Sequence, residues 1–325
     1  MLRQIEEKVL KGIGIRWDEA IELSQLEGED IISLLDLANR VREINAGKRM
    51  DLCSIMAAKV GHCSEDCKFC SQSAHHLCNI EVYGLIDDGE VLRRIEEIES
   101  SGAHRFCLVT SGETLTDREF ERVLQIYTLL NRETDLQLCA SLGSLDRSRA
   151  YALRESGVVM YHHNVETSHS FFPKICTTHT YDDRVKTIEA AKKAGLKVCC
   201  GGIISMGESM EERLELAFEL RELDVDSIPI NILNPIEGTP LEGIELLSHE
   251  ELLKSIALFR LIMPKQLIRL AGGKENGLGS DEKMAYMGGI NGALVGNYLT
   301  TKGHDAGDEL KVFEEMGYVF NFRDN

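Results

Sequence analysis

The chain has 325 residues, 43% of them hydrophobic, enough for one large α/β barrel or for two domains. Its 54 acidic residues against 36 basic ones give a formal charge of −18, which argues against nucleic acid or an anionic membrane surface as the main partner. No run of about 18 apolar residues offers a membrane span, and Met1 to Lys8 lack a signal-peptide core, so the ten cysteines are expected as reduced thiols or metal ligands in a cytoplasmic protein.

Residues 16–46 read as two helices. Ile31, Leu34, Leu35, Ala38 and Val41 form an apolar stripe at helical spacing, and Gly47 is a plausible stop. Residues 1–48 are therefore expected as an N-terminal helical extension that packs on a main domain of residues 49–325. From there β-rich runs alternate with helices. The runs are 51–59, 104–111, 136–143, 158–166, 197–205, 227–234, 266–271 and 292–300. Helix starts carry capping pairs at Thr116/Glu119, Thr180/Asp183, Ser209/Glu212 and Ser248/Glu251, and Gly102, Gly157 and Gly195 close helices. Eight strands in this rhythm predict a TIM-type (β/α)8 barrel, with a doubly wound open sheet as the alternative.

The loop after the first strand carries Cys63, Cys67 and Cys70 at C-x3-C-x2-C spacing. Thiolates this close in sequence can share one metal centre without closing a long loop. Structural zinc wants four ligands; no fourth cysteine is near, and His62 adjoins Cys63 too closely to reach the same metal. Three thiolates and a vacancy suit a 4Fe-4S cluster with one open iron.

Cys107, Cys139 and Cys199 fall on the second, third and fifth predicted strands. Each alone reads as a small buried hydrophobe; three in one barrel interior are harder to dismiss. Arg269 is centred in a later strand, where a cation is costly unless paired with an inward carboxylate or an anion. In strand four, alternation puts His162, Asn164 and Glu166 on one inward face, a polar row that needs partners. Asn231 lies on strand six, and Ser111-Gly112-Glu113 follows strand two, where a simple turn explains it equally well. Cys200 should point opposite to Cys199 and pack outward. Cys78 either reaches the barrel mouth or is an exposed thiol, and Cys176 has no assigned part.

The cysteine loop resembles that of the radical S-adenosylmethionine superfamily. With the three strand cysteines, Arg269 in its Arg-Leu-x-x-Gly context and the Gln-Ser after Cys70, the resemblance narrows to the biotin synthase family over nearly the whole chain. That resemblance implies a 4Fe-4S cluster on Cys63, Cys67 and Cys70 whose open iron binds S-adenosylmethionine. It implies an auxiliary 2Fe-2S cluster on Cys107, Cys139, Cys199 and Arg269. It places Phe69, Ser111, Gly112, Glu113, Asn164, Glu166 and Ile203 around S-adenosylmethionine, and brings the backbone of the Gly201-Gly202 run up to its adenosine. His162, Asn164 and Asn231 would contact the substrate, dethiobiotin. Two positions depart from the family pattern, Glu166 for an aspartate and His162 for an asparagine. Cys53 stands where the family usually has a small hydroxyl residue; it is open as a further ligand, displacing Arg269 or supporting a larger, four-iron auxiliary cluster. The implied reaction is radical sulfur insertion into dethiobiotin, with a flavodoxin or ferredoxin type electron donor and a homodimeric enzyme. Two other readings stay open. One is another radical enzyme of the same branch, such as a hydrogenase-cofactor maturase or a methylornithine synthase. The other is a non-catalytic metal carrier or zinc module.

Overall fold

In the computed structural model, which describes residues 2–100, 102–301, 303–304 and 306–320, alternation along the strands separates two environments. The strands are β1 (Asp51–Lys59), β2 (Arg105–Thr110), β3 (Gln137–Ser141), β4 (Met160–His162), β5 (Lys197–Cys199), β6 (Gly202–Ile204), β7 (Ser227–Ile232), β8 (Leu267–Leu270) and β9 (Gly292–Leu294). All ladder pairs are parallel, in the order β5-β4-β3-β2-β1-β9-β8-β7-β6, and β5 also pairs with β7, which closes the ring. Segments β5 and β6 are two halves of one stave, so the barrel has eight staves, as the sequence predicts. The break falls at the glycine pair because neighbouring backbone presses in: a Cβ on Gly201 would lie 1.9 Å from the Pro229 carbonyl oxygen, and one on Gly202 would lie 2.5 Å from that of Glu166.

Residues such as Leu52, Phe106, Leu108, Ala140 and Ile268 point outward and are fully buried beneath the helices. Their neighbours Cys53, Cys107, Cys139, Cys199 and Arg269 point inward. Cys200 joins the outer layer, as alternation requires. Around the staves run α4 (Asp88–Ser100), α5 (Asp117–Glu133), α6 (Arg147–Glu155), α7 (Tyr181–Lys193), α8 (Met210–Glu222) and α9 (His249–Ile262). Reciprocal capping boxes form at Thr116, Thr180 and Ser209. Ser248 caps α9, but its expected partner Glu251 turns instead to Arg213 at 2.7 Å and Lys254 at 2.6 Å.

Three N-terminal helices form: α1 (Leu2–Leu10), ahead of the two expected over residues 16–46, α2 (Trp17–Ser24) and α3 (Glu29–Ala46). The first was not expected because only Ile5 and Val9 face inward, a stripe too short to stand out. The stripe on α3 is buried as predicted, and Gly47 follows it at φ +67°. These helices rest on α8 and α9 and share one hydrophobic cluster with the barrel. Short helices α10 (Lys274–Leu278) and α11 (Glu282–Met287) and a last helix, α12 (Ala306–Glu315), complete the described chain. The fully buried Lys274 ion-pairs with Glu309 of α12 and with Glu282. No helix among the described residues is long and apolar enough to cross a membrane.

Candidate active site

The barrel mouth holds a cavity of about 450 Å³ bounded by both cysteine sets. The radical loop leaves β1 through Gly61 and His62, both at positive φ, and folds back on itself. Cys63 N donates to Gln72 O at 3.0 Å, Cys70 N to Cys67 O at 2.9 Å, and Ala74 N to Cys63 O at 2.8 Å. Cys63, Cys67, Phe69 and Cys70 all line the cavity. Burial pushes the Cys70 thiol up to about 11, so it needs a metal or a cation to ionise. Among the described residues, the one group of three ligand atoms mutually within 4.8 Å is Cys67, Cys176 and His179. Neither cysteine set therefore brings three sulfurs within 4.8 Å of one another, the convergence that a single zinc ion asks of its ligands.

Deeper in the barrel, Cys107 sits opposite Cys139 in the ladder, Cys53 opposite Arg105, and Cys199 opposite His162. Cys107, Cys139 and Cys199 cluster with Met160, while Cys53 packs against Ala271 and Leu294. Burial raises the Cys107 thiol well above its usual range, and the nearby Cys139, Cys53 and Cys199 raise it further; Arg269 works the other way. Burial likewise lifts Cys53 to about 11. Four thiols thus share one dry interior with a buried guanidinium that favours their thiolates.

That guanidinium does find an inward carboxylate. Arg269 Nη2 lies 2.5 Å from Asp51 Oδ1, and Nη1 donates to the carbonyl oxygens of Asp51 at 3.0 Å and Ala293 at 2.9 Å. Arg105 Nε reaches both oxygens of the same carboxylate, at 3.1 and 3.0 Å. Arg269 and Arg105 thus share the Asp51 carboxylate, with the Arg269 guanidinium near the thiols. Burial disfavours the Arg269 charge, but Asp51 together with Cys53 and Cys199 more than offsets it and holds the group protonated.

The polar wall forms, though not by strand alternation. β4 stops at His162, and Glu166 takes a left-handed φ of +69°, so Asn164 and Glu166 reach the cavity from a bent segment. His162 Nδ1 lies 3.4 Å from Cys199 Sγ, and burial pulls its imidazole down to about 4, leaving it neutral at pH 7. Asn164 Oδ1 accepts from Gly201 N at 3.0 Å and its Nδ2 donates to Glu166 Oε2 at 3.3 Å. Asn231 bridges Gly202 O and Gly272 N, at 3.1 and 3.0 Å, which leaves one N–H and one lone pair for a ligand. Ser111, Gly112, Glu113 and Ile203 are on the wall, and Ser111 Oγ donates to Gly61 O at 2.7 Å. The close approach of Gly201 and Gly202 is to the backbone of Pro229 and Glu166. Beyond them Glu208 accepts from Ser205 N and Met206 N, both at 2.7 Å, and so serves the backbone rather than the cavity. Cys78 is half-buried and off the wall.

The sequence reading missed Asp51, Arg105, His163 and Arg184. Arg184 of α7 looks like one more helix-surface charge, yet it turns into the cavity. There it pairs with Glu166 at 3.3 Å and donates to Asn164 O and His179 Nε2, both at 3.0 Å. Alternation put His163 outside, but it lines the cavity with its Nε2 buried and unpartnered. The usable signal for Asp51 and Arg105 was two charges at the starts of adjacent buried strands.

A model of the radical SAM superfamily matches residues 59–220, and one of the biotin and thiamin synthesis associated domain matches residues 229–319. The biotin synthase of Acetivibrio thermocellus is 52% identical over 316 residues, covering 97% of this chain and 98% of its own. That of Heliobacterium modesticaldum is 50% identical over 321 residues, with 99% and 98% covered. Among solved structures, a methylornithine synthase superposes with a TM-score of 0.82 at 23% identity, over 97% of this chain and 96% of its own. The hydrogenase maturase HydG gives 0.83 at 18% identity, over 97% and 74%. Those two likenesses show the shared barrel alone, whereas half of all residues match the biotin synthases over nearly the full length of each chain: this chain belongs to the biotin synthase family.

Proposed function

We propose that the chain converts dethiobiotin to biotin, with a 4Fe-4S cluster on Cys63, Cys67 and Cys70 and an auxiliary iron–sulfur centre on Cys107, Cys139, Cys199 and Cys53. The observation that carries this reading is the set of four inward thiols directly beneath a radical loop, facing one cavity. When bound, the clusters and S-adenosylmethionine supply the electron, the hydrogen abstraction and the sulfur. The chain's own side chains bind, orient and keep water out. Phe69 offers an apolar face to an adenine. Asn164 and Glu166 offer an amide and a carboxylate to a ribose, and Arg184 fixes Glu166 in place. Glu113, on the cavity wall, offers a carboxylate to an ammonium group. A neutral His162 can hydrogen-bond a cyclic urea without adding charge to a dry pocket, and the free N–H of Asn231 can do the same. The barrel wall keeps a reactive radical from bulk solvent. Arg269 acts here as a counter-cation: its pairing with Asp51 leaves it a protonated guanidinium, while Cys53 supplies the fourth thiolate that a four-iron auxiliary cluster needs. The reaction calls for a low-potential donor of the flavodoxin or ferredoxin type, and the family reading gives a cytoplasmic homodimer.

The test is anaerobic reconstitution with S-adenosylmethionine, dethiobiotin and a strong reductant, read by mass spectrometry. Biotin and 5'-deoxyadenosine are expected together. Cys107→Ala should keep 5'-deoxyadenosine and lose biotin. Mössbauer spectra should show the auxiliary signal shrinking in Cys53→Ala, and an unchanged signal there would remove Cys53 from the ligand set; spectra of the unaltered protein that fit one 2Fe-2S and one 4Fe-4S centre would remove the four-iron auxiliary cluster. 5'-Deoxyadenosine without any biotin from the unaltered protein would mean a different substrate.

A further inference from the structure

Cys176 lies outside both cysteine sets and off the cavity wall. It follows the short 3-10 turn Phe172–Lys174, is 3% exposed, and its sulfur is 3.7 Å from that of Cys67. Among the described residues no other two cysteine thiols hydrogen-bond to each other. The contact is built by backbone, not by one rotamer. Lys68 N donates to Ile175 O at 2.9 Å. The Asp66 carboxylate accepts from Thr177 N at 2.8 Å and Thr178 N at 3.2 Å, and Asp66 N donates to Thr178 Oγ1 at 3.2 Å. Hydrogen bonds between the two segments therefore hold the two sulfurs face to face.

We propose that Cys176 is the oxidation partner of Cys67: in protein that lacks the radical cluster, hydrogen peroxide closes a Cys67–Cys176 disulfide that withholds one cluster ligand until a thiol reductant reopens it. The consequence rests on the reading of Cys67 as a cluster ligand. The step balances. Peroxide oxidises one thiol to a sulfenic acid and leaves as water; the second thiol attacks that sulfur and a second water departs, so two thiols and one peroxide give one disulfide and two waters. The sulfurs must close from 3.7 Å to about 2 Å, the length of an S–S bond. With the cluster in place the Cys67 sulfur is committed to iron, so the disulfide is confined to the cluster-free protein. Its use is protective. A disulfide is reversible, whereas a lone cysteine driven on to sulfinic acid is lost as a ligand.

The experiment uses full-length protein stripped of iron by chelation and exposed anaerobically to hydrogen peroxide, at a dose titrated so that Cys63 and Cys70 of the unaltered protein carry no added oxygen. Part is digested without reduction for mass spectrometry; part is offered ferrous iron and sulfide with and without dithiothreitol. The expected result is a Cys67–Cys176 cross-linked peptide and a loss of radical-cluster reconstitution that dithiothreitol reverses. In Cys176→Ser, and in Cys176→Ala should the serine disturb the loop, the loss should persist after dithiothreitol, with Cys67 carrying two added oxygens. Absence of the cross-link, or full dithiothreitol recovery in both variants, overturns the proposal. If unoxidised protein takes up no four-iron cluster, the ligand reading falls and takes the withholding effect with it, and the peptide map shows that this failure is separate from the thiol chemistry.

Discussion

Asp51 is the residue on which the interior charge balance turns, because two buried guanidiniums share its one carboxylate. Burial opposes its ionisation, yet Arg269 and Arg105 together hold it below the usual carboxylate range. Asp51→Asn removes the carboxylate that both guanidiniums share and leaves the buried Arg269 charge without its anion. A loss of about 3–5 kcal/mol is expected in urea denaturation of the cluster-free protein. Arg269→Met should cost less, since Asp51 keeps Arg105. A depressed folded pKa means that stability is fully present above the unfolded value of about 3.9 and is lost as pH falls through the folded one. The unaltered protein should therefore lose stability below about pH 4 along a slope that Asp51→Asn lacks; equal slopes would remove Asp51 as its source. At this scale the sequence was informative where chemistry concentrates in one residue type. The cysteines and Arg269 stood out against a β-rich background. Arg184 and Asp51 did not, because a charged residue on a helix or at a strand start is ordinary until its neighbours are known.

Elements show the same division. The β/α alternation located every stave, because inward and outward positions obey a period of two that any parallel barrel imposes. Stave ends were not legible. β4 was expected to run to residue 166 and ends at His162, and β9 was expected to run to 300 and ends at Leu294, near Gly296 at φ +80°. Bends of this kind follow from tertiary closure around a cavity, not from local propensity. The split between β5 and β6 gives a direct check. A methyl group on Gly201 has no room beside the Pro229 carbonyl, so Gly201→Ala should destabilise by about 1–3 kcal/mol in urea. On α8, burial pushes the Glu219 carboxyl up to about 7, aided by Glu215 and Glu222 and opposed by the hydrogen bond from His169 N. A folded pKa above the unfolded value of about 4.3 means the acid form is favoured, so stability is lost as pH rises from about 4 to about 7. Glu219→Gln keeps an acceptor for His169 N–H and never ionises. It should match the unaltered protein in thermal unfolding at low pH and exceed it at pH 8, by on the order of 1 kcal/mol after allowance for partial exposure.

For the whole molecule, the open question is whether residues 1–48 are an attachment or part of the barrel's own core. The two family models meet between residues 220 and 229 and begin only at residue 59, which would suit a dispensable leader. The packing says otherwise. Ile5, Val9, Ile15, Leu23, Leu34 and Val41 are buried in the same hydrophobic cluster as Leu253 and Ile256 of α9. Each large apolar side chain contributes about 1.5–3 kcal/mol on burial, so six of them sum to about 9–18 kcal/mol, comparable to the entire net stability of a typical domain. Removal would also uncover the apolar faces of α8 and α9 to water. A chain of residues 49–325 should therefore be insoluble, or should lack the near-ultraviolet circular dichroism of fixed aromatic packing, and co-expression of residues 1–48 as a separate peptide should restore both. A truncated chain that stays soluble and unfolds cooperatively would show instead that the barrel closes its core without the extension, and that the N-terminal helices are a separable cap.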